Sequence, residues 1–369
     1  MNNLPRRVWL EINLATLANN YRRIAEAVAP AQVMPVLKAN AYGLGVQPIA
    51  RALQDVGAPR FGVAEPYEAL QLLPLGKPVQ ILSSILPDEI EEMVARNVVL
   101  PVTDIPTAQR IEQYASAAPN GTPRVHFKID SGMGRLGILA EDAANTILEV
   151  RRTCPDLHFE GIFTHFPMAY RGNDLTLRQV RFMRTLITEL NHEGIHFECC
   201  HCAASDGINN IPQAFEPPFN LVRTGINLYG CYDPEGMRSM KTEPVLKLKT
   251  RLAAVRRLKK GMHLGYGQTY RLPCDMLIGT ISAGYADGLP LALSNRGCVE
   301  IAGALCPVVG RVSMDYTMVA LDQVPQAQPG DEVVCLGGQI PVDEWATLKN
   351  THPYDIICNF GNRVERRYV

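Results

Sequence analysis

The chain has no apolar run approaching the roughly 20 residues needed to cross a bilayer. Its opening residues, Met1-Asn2-Asn3-Leu4-Pro5-Arg6-Arg7, lack the hydrophobic stretch of a secretory signal. Net charge is nearly absent: 36 Lys and Arg stand against 37 Asp and Glu, a formal −1. That balance removes the electrostatic reason to expect nucleic acid or an anionic membrane as partner. Cysteine is sparse, ten in 369 residues, well under the roughly 8–10% of a disulfide scaffold. No internal repeat or low-complexity tract is present. These absences predict a cytoplasmic globular protein with reduced thiols. Hydrocarbon is what the chain does have: 47% of residues are hydrophobic and 20% charged, enough to build a large core and too apolar for disorder. At about 150 residues per domain, the length predicts two or three domains.

One cysteine cluster needs weighing. Cys199-Cys200-His201-Cys202 contains a C-x-x-C, but a zinc site wants a second ligand pair at matched spacing. A thioredoxin-type motif opens a helix, whereas this run follows Ile195-His196-Phe197 and reads as the end of a strand. Alternation along a strand turns Cys200 and Cys202 one way, Cys199 and His201 the other. Buried unpaired cysteines are favoured over metal or redox chemistry, because free cysteine is often a small core residue. No metal is expected.

From residue 14 to about 240, short apolar runs alternate with amphipathic ones. Leu14, Leu17, Tyr21, Ile24, Ala25 and Val28 recur at helical spacing before Pro30. Strands are expected at Val33–Leu37, Phe61–Ala64, Val79–Leu82, Val98–Val102, Val125–Ile129, Phe159–Thr164, His196–Cys200 and near Phe219–Val222. Between them lie helical stripes such as Leu177, Val180, Met183, Ile187 and Leu190. Strand–helix alternation implies parallel strands with helical crossovers. About eight such units match a closed (β/α)8 barrel better than an open doubly wound sheet, which stays possible. After residue 240 the period changes. Val245-Leu246-Lys247-Leu248-Lys249-Thr250-Arg251-Leu252 alternates with period two, and short β-type runs follow at Met276–Ser282, Cys298–Ile301, Thr317–Leu321 and Glu332–Leu336. The expected domains are a barrel over residues 1–240 and a β-rich domain over 241–369, meeting near Asp233-Pro234-Glu235-Gly236. A first strand near residues 7–13 is available to pair with the second domain.

In a parallel barrel the C-terminal strand ends build the active site. Lys38 directly follows Val36-Leu37. A lysine at the inner rim of a barrel loses solvation, which lowers its pKa and exposes the neutral amine that a Schiff base with an aldehyde requires. Local sequence alone leaves it equally a surface lysine in a turn. Arg135 follows strand five in Lys128-Ile129-Asp130-Ser131-Gly132-Met133-Gly134-Arg135, His165 ends strand six, Ser205 follows strand seven, and Arg223-Thr224-Gly225-Ile226 lies at strand eight. A hydroxyl and glycine amides after strands seven and eight are where barrels often hold phosphate. An amine, a phosphate cradle and basic groups together suit pyridoxal 5′-phosphate.

Val36–Gly45 resembles the cofactor-lysine signature of the alanine racemase family, and the similarity runs from Trp9-Leu10-Glu11-Ile12 to Arg363-Val364-Glu365-Arg366. The resemblance implies a barrel that binds pyridoxal phosphate, a following β-rich domain, and homodimers whose active sites are shared between subunits. It implies that Lys38 holds the cofactor and acts as one base. Tyr266, in Gly265-Tyr266-Gly267, is then the second base, delivered from the partner subunit. Tyr42, Ser205, Gly225, Ile226 and Tyr354 match phosphate positions. Arg223 matches the group facing the ring nitrogen, with His165 linking it towards the tyrosine. Arg135 and the backbone at Met314 match contacts to a substrate carboxylate. Lys128 matches a lysine carbamylated in many members.

Racemisation needs a base on each side of a planar carbon. A phenol with pKa near 10 serves only where cations stabilise its phenolate. An arginine beside the ring nitrogen leaves that nitrogen unprotonated, which limits side reactions; a decarboxylase of this architecture is expected to carry glutamate there. Leu44, Ser313 and Thr224 depart from the common histidine, cysteine and proline. The reading is alanine racemisation of a small amino-acid substrate, with D-alanine passing to peptidoglycan. The alternatives are a racemase that also takes serine, a pyridoxal-phosphate decarboxylase, or a cofactor-carrying protein without catalysis.

Overall fold

The computed structural model describes residues 4–236 and 239–369; of the opening segment, Met1-Asn2-Asn3 lie outside the described residues. The chain forms two compact units. One holds Ala18–Ala41 and Gly45–Thr242; the other gathers the N-terminal segment up to Leu17, Tyr42–Leu44 and Glu243–Val369.

The first unit contains β1 (Gln32–Pro35), β2 (Phe61–Val63), β3 (Val79–Ile81), β4 (Leu100–Val102), β5 (Arg124–Asp130), β6 (His158–Thr164), β7 (Cys199–His201) and β8 (Leu221–Thr224). Parallel ladders join β2 to β3, β4 to β5, β5 to β6, β6 to β7, and β8 back to β1. Single bridges, Val36 with Gly62 and Gln80 with Val99, connect β1 to β2 and β3 to β4. Asn220 and Arg223 amides donate to the Cys200 and Ala203 carbonyls between β7 and β8. The ring therefore closes, and the barrel expected from the sequence is the fold. Most of these strands are short apolar runs because both faces are covered.

The crossover helices arise from the same periodicities. Helix Val46–Asp55 buries Val46, Ile49, Ala50 and Leu53, one stripe at 3.6-residue spacing. Helix Asp174–His192 buries Val180, Met183, Leu186, Ile187 and Leu190. Its N-cap, Asn173, accepts from the Thr176 amide at 2.8 Å, a cap whose loss costs about 1 kcal/mol. The strand read at His196–Cys200 begins only at Cys199. His196 lies before it and bonds Asn191 at 3.0 Å. As alternation requires, Cys200 and Cys202 are buried away from His201, which joins the barrel's polar interior. Burial pushes the Cys200 thiol up to about 12, so it carries no reactive thiolate.

The second unit is a mixed sheet around the 13-residue strand Leu246–Leu258. Leu246, Leu248, Thr250 and Leu252 face inward on the expected period of two. That strand pairs antiparallel with Trp9–Ile12, Met276–Ile281 and Glu332–Leu336, and Trp9–Ile12 pairs in parallel with Glu365–Tyr368. Leu264, Leu272, Met276, Ile278, Val309 and Ala320 form an apolar cluster beside it. No helix among the described residues is long and apolar enough to cross a membrane.

Candidate active site

Lys38 ends the apolar run of β1, and the chain then winds through a left-handed turn. Ala39, Asn40, Ala41 and Tyr42 have φ of 52°, 55°, 53° and 58°. Each residue with a Cβ costs about 1–2 kcal/mol in that conformation, so the turn persists only because its surroundings over-determine it. The Glu68 carboxylate accepts from the Ala39 amide and, at 2.7 Å, from the Ala64 amide. Asn40 Oδ1 caps the next helix by accepting from the Val46 amide at 2.8 Å, and the Gly45 amide returns to the Asn40 carbonyl at 3.0 Å. Lys38 is held at the barrel rim, but it is exposed. A second lysine, Lys128, lies deeper in the barrel.

Lys128 lies on β5 with 4% of its surface exposed. Burial, followed by the Arg135 and Arg223 cations, pushes its ammonium down to about 8. Its Nζ donates to the Leu82 and Ser83 carbonyls at 2.8 and 3.1 Å and lies 5.8 Å from the Phe163 ring centre. Arg135 is exposed on a loop wound about one carboxylate. Asp130 accepts from the amides of Gly132, Met133, Gly134 and Arg135 at 2.8–3.0 Å. Burial alone would raise the Asp130 carboxyl, and these four donors hold it below its usual range.

Arg223, on β8, is buried. Its Nη1 donates to His201 Nδ1 at 2.6 Å and to the His201 carbonyl at 3.1 Å, and its Nη2 to the Thr164 and Cys202 carbonyls at 2.6 and 2.8 Å. Those bonds commit the four terminal N–H groups and leave the Nε–H for a ligand. None of them goes to His165, the expected link. His165 meets Arg223 only as a nearby charge: burial first, then Arg223, Arg135 and Lys38, push its imidazole down to about 3. Burial also pushes Arg223 down to about 10, so it stays a cation at neutral pH.

Arginine can only donate, which fixes the chain behind it. His201 Nδ1 accepts, so its Nε2 carries the proton and donates to His126 Nδ1 at 3.0 Å. His126 Nε2 then faces Glu160 Oε1 at 3.6 Å. Burial holds both imidazoles neutral. Burial would raise the Glu160 carboxyl, but the His126 imidazole and the Arg60 charge beside it hold it well below the carboxylate range. His126, Glu160 and Cys199 offer metal-type atoms within 4.8 Å of one another. Arg60, however, pairs with Glu160 and donates to Cys199 Sγ at 3.2 Å, and Arg124 pairs with Glu160 at 2.8 Å. Guanidinium groups supply the positive charge there.

After β7 and β8 lies a small polar cradle. The Ser205 hydroxyl, 4% exposed, accepts from the Gly225 amide at 3.0 Å. Ile226 opens a single helical turn, Ile226–Tyr229, whose first amides have no intrahelical acceptor. In the second unit, Tyr42 and Tyr354 lie with ring centres 6.0 Å apart.

Tyr266 is also in the second unit, beyond the hairpin strand His263–Leu264, and is 73% exposed. Met314 is 53% exposed. Arg363 braces its turn, bonding Asp287 at 2.7 and 3.0 Å, Asp315 at 2.7 Å and the Met314 carbonyl at 3.3 Å. The Tyr285 and Ala286 amides donate to the Ser313 and Met314 carbonyls. Gly284 touches the same backbone where a Cβ has no room.

The alanine racemase N-terminal domain family model matches residues 12–233, and the alanine racemase C-terminal domain model residues 245–368. The chain belongs to the alanine racemase family. The alanine racemase of Desulforamulus reducens is 36% identical over 98% of this chain and 99% of its own. Among solved structures, the alanine racemase of Streptomyces lavendulae aligns with TM-score 0.90 at 30% identity, covering 100% of this chain and 98% of its own. The alanine racemase of Bartonella henselae, solved with covalently bound pyridoxal phosphate, aligns with TM-score 0.88 at 28% identity over 99% of this chain and 100% of its own.

Within the alanine racemase fold, Glu68, Asp130, His201 and Arg363 support site residues that sequence reading named without them. Asp130 carried a signal, an aspartate opening a glycine-rich loop. His201 stood in the weighed cysteine cluster, on the face opposite Cys200 and Cys202. Glu68 and Arg363 carried none, because their partners are distant in the sequence.

Proposed function

We propose that the protein is a pyridoxal 5′-phosphate-dependent alanine racemase working with two bases, Lys38 and Tyr266, as a cytoplasmic homodimer with shared active sites, and that its D-alanine feeds peptidoglycan synthesis. The observation that carries this reading is family membership across both domains, with an amine at the β1 rim and an exposed phenol on the second unit.

The residues present fit the cofactor. Lys38 supplies the amine for its aldehyde. Ser205, the amides of Gly225 and Ile226, Tyr42 and Tyr354 would supply donors for its phosphate, and the Nε–H of Arg223 would supply a donor for its ring nitrogen. When bound, the cofactor withdraws electrons from the amino acid's α-carbon. The chain's own groups do the rest. Because Arg223 does not give up its proton, it would offer the ring nitrogen a hydrogen bond and no proton. Arg135 and the Met314 backbone hold the substrate carboxylate, and Asp130 sets the loop that presents Arg135. Lys38 and Tyr266 would hold protons on opposite faces; His165, neutral at working pH, lies among the Arg223, Arg135, Lys38 and Lys128 cations. Protein supplied with pyridoxal phosphate and L-alanine should yield D-alanine. Carbon dioxide from a basic amino acid without D-alanine would favour a decarboxylase.

We also propose that Lys128 is carbamylated. Only the neutral amine attacks carbon dioxide: an N–C bond forms, the nitrogen loses a proton, and an anion results beside Arg135. With its ammonium pushed down to about 8, Lys128 is protonated below that pH and mostly neutral above it. Labelled bicarbonate should therefore give a protein-bound carbamate signal that grows between about pH 7 and 9 and is missing in Lys128→Met. No signal at any pH removes this modification.

A further inference from the structure

Asn227 directly follows the Gly225-Ile226 amides and is fully buried. Its Oδ1 accepts two hydroxyl protons, from Ser205 Oγ at 2.9 Å and Thr224 Oγ1 at 2.6 Å. Its backbone carbonyl is fixed by Thr242 Oγ1 at 2.5 Å and the Gly230 amide at 3.2 Å. The side-chain Nδ2, equally buried, has no acceptor among the described residues. Buried NH2 groups of this kind are uncommon and costly.

The proton count makes the arrangement informative. A serine hydroxyl has one proton, and an amide oxygen facing Ser205 takes it. A phosphate dianion can only accept, so Ser205 cannot donate to a phosphate while it donates to Asn227. Half a turn about the Cβ–Cγ bond of Asn227 exchanges Oδ1 and Nδ2 in space. The two Nδ2 protons then match the two hydroxyl oxygens. Ser205 Oγ accepts from the Gly225 amide and from Nδ2, and its proton is released for the phosphate.

We propose that Asn227 is a positioning residue for the phosphate cradle, an amide whose Nδ2 faces the Ser205 and Thr224 hydroxyls when a phosphate is bound and so leaves the Ser205 proton to the phosphate. This rests on the reading of Ser205, Gly225 and Ile226 as the phosphate site. Aspartate has no NH2 to offer, keeps the Ser205 proton and places a like charge behind the phosphate. Alanine removes the amide's donor and acceptor together and leaves Ser205 Oγ held by the Gly225 amide alone.

The test titrates the full-length apo-protein with pyridoxal phosphate and with pyridoxal, which lacks the phosphate, following the visible absorption of the bound form. Asn227→Asp should weaken pyridoxal phosphate binding by more than about tenfold and Asn227→Ala by about three- to tenfold, with pyridoxal affinity changed less than about twofold. If the aspartate variant does not fold, the alanine variant decides: a loss confined to the phosphorylated ligand upholds the proposal. Unchanged affinity, or equal losses for both ligands, overturns it. Ser205→Ala serves as the reference. If it spares pyridoxal phosphate binding, the phosphate-site reading fails and takes the proposal with it. If it lowers that binding selectively while the Asn227 variants do not, the role of Asn227 alone fails.

Discussion

Tyr266→Phe should lower racemisation by about 10²- to 10⁴-fold, the range for loss of a positioned general base, while α-proton exchange into D-alanine stays at least partly intact. The two faces of a planar carbon need two proton acceptors, and removing one leaves the other able to exchange the proton on its own side. Tyr266 is 73% exposed in the isolated chain, so its phenol is available to a partner's site. Mixing Tyr266→Phe with a Lys38 variant adds a geometric check. In a mixed dimer with shared sites, one of the two sites has both intact groups, so free exchange should restore about a quarter of wild-type activity. Full activity in Tyr266→Phe excludes the phenol as a base. No recovery after demonstrated subunit exchange excludes a shared site.

Lys38→Ala should abolish racemisation by more than about 10⁴-fold, beyond the loss of a single base, because the same amine also anchors the cofactor. The visible absorption of lysine-bound pyridoxal phosphate should vanish with it. An unchanged spectrum would remove Lys38 from both roles. The two variants are told apart by that spectrum, which Tyr266→Phe should leave in place.

The fold class was legible in sequence because it is a matter of period. Apolar runs after every amphipathic stretch can be buried on both faces only by a parallel sheet covered with helices, and the alternation from Val245 onward suits only a half-covered one. The family resemblance was equally legible, since Val36–Gly45 and Lys128–Gly137 are contiguous motifs. Nothing local showed that Ala39–Tyr42 would wind left-handed; the turn is tied by Glu68, which reaches back to the Ala39 amide across 29 residues. Nor could sequence give Arg223 its partners. His165 adjoins strand six and was the expected neighbour, yet the guanidinium turns to His201, because β7 lies beside β8 and sends that imidazole inward.

Sequence by itself determined the strands, the helices and the chemical types available at their ends, since each depends on neighbours within a few residues. Tertiary structure decided which of those groups lose water and which donate to which. That Lys128 is desolvated, and that the Ser205 hydroxyl meets the Asn227 amide, are consequences of distances between segments far apart in the chain. Such distances are set by closure of the barrel, which no local pattern encodes.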